Sequence, residues 1–198
     1  MTHRPSQRWN LLLFGGGVEL ALAALAAALG WWLYRPPWEA MAWDIGDAGV
    51  GAAGALPMFA ALVIGMQSRV GPMRRIKQIN EEFIRPLFQP CSILELGLLS
   101  AVAGVGEEWL FRGFLQGACS DWLGPWLGWS IANCVFGLLH AITPAYAIMA
   151  ALAGVYFGGL WMLTGNLLTP IVAHAIYDWL ALVYLTRRKI AAEANPVE

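Results

Sequence analysis

Charge is scarce in this chain. Asp, Glu, Lys and Arg make up 13% of its 198 residues, against about 25% in an ordinary soluble domain. That shortage excludes a conventional water-soluble fold. The few charges are nearly balanced, with Lys+Arg 12 against Asp+Glu 13. No basic stripe interleaved with aromatics appears, so nucleic acid is excluded as a partner. Cysteine is also sparse. Cys91, Cys119 and Cys134 lie far apart and form no C-x-x-C pair, so neither a disulfide framework nor a thiolate metal site follows. Cys134 falls in an apolar segment and is expected to pack there. No H-E-x-x-H, internal repeat or low-complexity linker is present. The first apolar run is long, and no small-residue cleavage site precedes WWLY at Trp31 to Tyr34, so a cleaved signal peptide is not expected.

Hydrocarbon is abundant instead. Hydrophobic residues reach 59% and the mean hydropathy is +0.57. A spanning helix needs about 20 mostly apolar residues, and about six segments approach that. They run near Trp9 to Tyr34, Ala48 to Met66, Cys91 to Ala118, Gly124 to Ala141, Pro144 to Leu163 and Leu167 to Thr186. The expectation is an all-α, polytopic membrane helical bundle, with residues 1–198 as a single integral-membrane domain.

The charges between segments orient it. Arg4 and Arg8 precede the first segment. Arg69, Arg74, Arg75, Lys77 and Arg85 lie between the second and third, and Arg187, Arg188 and Lys189 follow the sixth. The opposite loops hold Arg35 but also Glu39, Asp44, Asp47 and Asp121. The positive-inside rule places both termini in the cytoplasm, and an even number of spans requires them on one side. Tryptophans 31, 32, 38, 43, 122, 126 and 129 cluster near the opposite ends, as an aromatic belt does. Residues 67–90 read as a cytoplasmic loop. Within it Met73, Ile76, Ile79, Phe83, Ile84 and Leu87 recur at roughly helical spacing among cations. That fits an amphipathic helix on the membrane surface, or a connecting loop with one apolar face.

Ionisable residues inside spans are functional hypotheses by default. Here they are Glu19, Glu95, Glu107, Glu108, Arg112, His140, His174 and Asp178. Glu95 reads as interfacial, and Glu19 has no evident role. Glu108 and Arg112, one helical turn apart with the acid first, suit an ion pair. Glu107 points about 100° away without a local partner, and an unpaired carboxylate there could serve as a general base or acid. Phe136-x-x-x-His140 puts ring and imidazole on one face, with Asn133 nearby. His174-x-x-x-Asp178 lets the carboxylate orient the imidazole. Taken singly, each pattern also fits a structural staple. Together they lie on the third, fourth and sixth segments, and two histidines, a free glutamate and an aspartate converging in the membrane are equipment for hydrolysis.

E-E-x-x-x-R, F-x-x-x-H and H-x-x-x-N/D, in that order on successive membrane helices, resemble the CPBP family. This is the CAAX-protease and bacteriocin-processing (ABI) family of intramembrane proteases, which includes the type II CAAX prenyl endopeptidases. The resemblance covers about Cys91 to Thr186. It implies a catalytic core at 91–186, with Glu107 as the glutamate that activates water and His140 positioning that water. His174 would face the oxyanion, with Asp178 as its partner. Glu108, Arg112, Phe136 and Asn133 would act as support. It implies a membrane-embedded or lipid-anchored protein or peptide substrate in a bacterial inner membrane, and no cofactor. The alternative cofactor is zinc, held by Glu107, His140 and His174, a known catalytic ligand set. Rival functions are bacteriocin self-immunity or another non-proteolytic role in the same family, and a small proton-coupled transporter.

Overall fold

The computed structural model describes residues 5–68 and 70–188. Arg4, Arg69 and Lys189, used above to orient the chain, lie outside the described residues. Among the described residues there are helices and no strand. α1 is Pro5–Trp32 and α2 is Ile45–Gln67. α3 (Gly71–Ile79) continues through π-helical turns at Asn80–Ile84 into α4 (Arg85–Phe88). α5 (Ile93–Glu108) continues through a second π-helical stretch, Trp109–Gln116, into α6 (Gly117–Leu123). α7 (Pro125–Leu139), α8 (Pro144–Thr164) and α9 (Leu168–Arg187) complete the bundle.

Each expected apolar segment is helical, but the count of spans changes. α1 (from Arg8), α2, α8 and α9 are each long and apolar enough to cross a membrane. A fifth qualifies only when Met73–Phe88 and Ile93–Leu123, which meet at 109°, are taken together. α7 is apolar but short. The reason is visible in both cases. The α5–α6 helix carries Glu95, Glu107, Glu108, Arg112 and Asp121, and α7 ends at Leu139 with His140 as its C-cap.

Local signals account for the helix ends. Ser92 and Glu95 form a capping box at the start of α5, which satisfies backbone donors that the first turn leaves free. Asp44 caps α2 and Thr143 caps α8 through their side chains. Gly165 takes a left-handed φ of 69°, which ends α8 at little cost for glycine.

Contacts between ends define two faces of the bundle. At one, Arg8 lies 3.6 Å from Glu95, and Arg187 donates to the backbone oxygens of Gln89 and Cys91. At the other, Arg35 pairs with Asp121, and Asn166 bonds Ala42 and Asp47. The first turn of α1 and the last turn of α9 therefore share the face that carries most of the cations. Trp31, Trp32, Trp43, Trp122 and Trp126 are exposed around the opposite face. Trp129 does not join them, because its indole donates to the Val155 carbonyl on α8. Cys134, expected to pack, is exposed on α7. Ile76 and Ile79 of α3 are buried while Phe83 and Leu87 are exposed, because the π-helical turns shift the register of the apolar positions.

Candidate active site

α5 runs between α1 and α9 along a line of small residues. A Cβ at Gly104 would lie 2.9 Å from the backbone oxygen of Ile171 on α9. A Cβ at Gly106 would press on the backbone oxygen of Glu19 on α1. Small residues let membrane helices approach this closely. The approach sets Glu19 and Glu107 on one interior space, and Glu107 and His174 on another.

Glu108 and Arg112 are both fully buried. Arg112 Nη1 donates to Glu108 Oε1 at 3.0 Å, the pair expected from spacing. The arginine does more than neutralise. Its Nη2 donates to the Gly154 carbonyl of α8 at 3.1 Å. Its guanidinium carbon stands 4.5 Å from the Phe136 ring centroid and 5.6 Å from that of Phe157, within cation–π range. One side chain thus joins α5, α7 and α8.

The two histidines have matching surroundings. His140 Nδ1 donates to the Phe136 carbonyl at 2.8 Å, and its ring lies against Phe136 at 4.3 Å. His174 Nδ1 donates to Glu108 Oε1 at 2.8 Å, and its ring stacks on Phe157 at 4.7 Å and 12°. With each Nδ1 engaged, each Nε2 faces Glu107. The separations are 3.7 Å from His140 Nε2 to Glu107 Oε1 and 3.9 Å from His174 Nε2 to Glu107 Oε2. Asp178 Oδ2 lies 3.4 Å from His174 Nε2.

Glu107, Glu108, Arg112, Phe136, His140, His174 and Asp178 are therefore brought together. Asn133 is not at the cavity. It is buried on α7 toward Gly154 of α8, and its amide has no hydrogen-bond partner among the described residues. The expected division of labour also shifts. Asp178 was expected to orient His174, yet the closest partner at Nδ1 is Glu108, and Asp178 shares the Nε2 side with Glu107. Sequence spacing missed three further features: the Glu108–His174 bond, the Phe157 plate and the position of Glu19. Only Glu19 left a trace, as an acid in the middle of an apolar helix.

A cavity of about 390 Å³ opens at Glu107, lined by Glu19, Asn80, His140, Tyr146, Tyr177 and Asp178 among apolar residues. A smaller pocket of about 150 Å³ adjoins it between His140 and His174. Among the described residues no three His, Cys, Asp or Glu side chains are spaced to hold a metal ion. Glu107, His140 and His174 supply suitable donor atoms for zinc, but the spacing does not fit, and no step is assigned to a metal.

No curated protein and no solved structure matches the chain significantly. Residues 89–180 match the family described as type II CAAX prenyl endopeptidase Rce1-like. That segment holds Glu107, Glu108, Arg112, His140, His174 and Asp178, while Glu19 and Asn80 of the cavity precede it. Over these residues the chain is similar to that family of prenyl endopeptidases.

Proposed function

We propose that this protein is an endopeptidase that hydrolyses a peptide bond of a membrane-embedded or lipid-anchored substrate, with water activated by Glu107. The observation that carries the reading is the placement of one carboxylate between two imidazole Nε2 atoms on the wall of a cavity. The 3.7 Å gap from His140 Nε2 to Glu107 is too long for a direct hydrogen bond. It suits a bridging water. Glu107 takes a proton from that water, and the hydroxide attacks the scissile carbonyl carbon. The oxyanion that forms is met by His174 Nε2–H, an electrostatic stabilisation that generally dominates acyl transfer. Since Nδ1 already donates to Glu108, this donation requires the imidazolium form. Glu108 and Asp178 balance its charge. Glu107 then returns its proton to the leaving nitrogen as the C–N bond breaks, which closes the proton balance.

The same reading places the chain in a bacterial inner membrane with its cation-rich face toward the cytoplasm. The test compares the termini of membrane proteins in cells carrying the wild-type chain or Glu107→Gln, by terminal-peptide mass spectrometry. A set of termini present with wild type should vanish with the variant, a loss of at least about 100-fold for a removed general base. Cleavage should also persist in a chelator. Identical termini at equal expression would favour the immunity reading instead.

A further inference from the structure

The cavity at Glu107 has an unusual polar inventory. Three of its oxygen atoms are buried without a hydrogen-bond partner among the described residues: Glu19 Oε2, Asn80 Oδ1 and Glu107 Oε2. All three are acceptors. Asn80 is only 3% exposed and is the first residue of the π-helical turn Asn80–Ile84. Asp178 adds another carboxylate to the wall, and no Lys or Arg is among the described residues that line it. Buried polar groups are normally paired, so what completes this cavity is a donor. With carboxylates dominating the acceptors, a cationic donor fits best.

Glu107 is committed to water in the reading above, which leaves Glu19 and Asn80. Glu19 is fixed beside Glu107 by the α1–α5 crossing, where a Cβ at Gly106 would stand 3.4 Å from Glu19 Oε2. The rest of the wall includes Leu62, Ile79, Leu99 and Ala103, an apolar surface along which a methylene stem can lie while its charged head meets the oxygens. A bound metal ion is the poorer match, since no cluster among the described residues has ligand spacing.

We propose that Glu19 and Asn80 form a recognition subsite for a basic side chain of the substrate, lysine or arginine, close to the bond cleaved at Glu107. This rests on the endopeptidase reading and adds a substrate preference to it.

The test uses the full-length protein in detergent and peptides acetylated and amidated at their ends, with apolar flanks. Lysine, norleucine or glutamate is placed in turn at each position near the cleaved bond. Wild type should favour lysine over norleucine in kcat/KM by about 10-fold at one position, the size expected of a charge-assisted hydrogen bond. Glu19→Gln and Asn80→Leu should shrink that ratio, and Glu19→Lys should reverse it toward glutamate. Equal cleavage of lysine and norleucine peptides by wild type, or a ratio unchanged in Glu19→Gln, would overturn the subsite. If wild type cleaves no peptide, the endopeptidase reading fails on its own. Binding of the same peptides to Glu107→Gln protein, followed by tryptophan fluorescence, then decides the subsite. Tighter binding of lysine that is lost on adding Glu19→Gln upholds it, and equal binding of lysine and norleucine overturns it.

Discussion

Glu108 shows how one buried residue serves both fold and site. Its Oε1 accepts from Arg112 at 3.0 Å and from His174 at 2.8 Å, and the side chain is fully buried. Removing its charge leaves the Arg112 guanidinium without its carboxylate in the core, which costs about 3–5 kcal/mol when a buried pair is broken. Glu108→Gln should therefore lower the unfolding midpoint in detergent and also reduce cleavage, because His174 loses the carboxylate charge that balances its imidazolium form. An unchanged midpoint would contradict the ion pair as a structural element. Half of this was legible in the sequence. The turn spacing of Glu108 and Arg112 announces their pairing, and it likewise puts Phe136 against His140. The bond from Glu108 to His174 joins two helices that pack together but lie far apart in sequence, and no local spacing encodes it. Spacing along α9 gives Asp178 as a partner of His174, and the two do meet at 3.4 Å, but spacing along one helix gives no sign of a second partner from another.

Helices rather than loops set the precision of the site, and α5 is the central one. Its face toward α1 depends on Gly106, where any side chain would meet the Glu19 backbone oxygen. Gly106→Ala should destabilise the bundle by about 1–3 kcal/mol, as overpacking does, and should disturb the site as α1 moves. Gly16→Ala is the control. Nothing lies within 4 Å of a Cβ there, so it should be neutral or stabilising by up to about 1 kcal/mol, the helix preference of alanine over glycine. Equal midpoints for the two variants would refute the close crossing. At this scale the apolar runs located the helices well, since hydropathy reports burial in lipid directly. They did not reveal the π-helical stretches at Asn80–Ile84 and Trp109–Gln116. Such turns are stabilised by tertiary partners, here Arg112 on Gly154 and Gln116 Nε2 on the Gly158 carbonyl at 3.4 Å, and they recur at functional sites. Nor did hydropathy show that α7 would end short, at a histidine that belongs to the site.

For the whole molecule, the asymmetry of charge between the two faces is the feature with consequences. Arg8, Lys77, Arg85 and Arg187 lie toward one face, and Asp44, Asp47 and Asp121 toward the other. Cations are retained on the cytoplasmic side of a bacterial membrane. Alkaline phosphatase fused after Arg187 should thus be inactive, and active when inserted in the loop after Arg35. The reverse pattern would invert the proposed topology. Proteolysis asks more of the molecule than orientation, since water and a peptide must meet in an apolar bundle. The proposed function has them meet at Glu107, in the cavity that Glu107 lines. The most direct test is to incubate membranes carrying wild type or Glu107→Gln in water enriched in oxygen-18 and to read the new C-termini by mass spectrometry. The account predicts one heavy oxygen in each new carboxyl group with wild type and no new termini with the variant. Labelled termini of equal abundance from Glu107→Gln would contradict it.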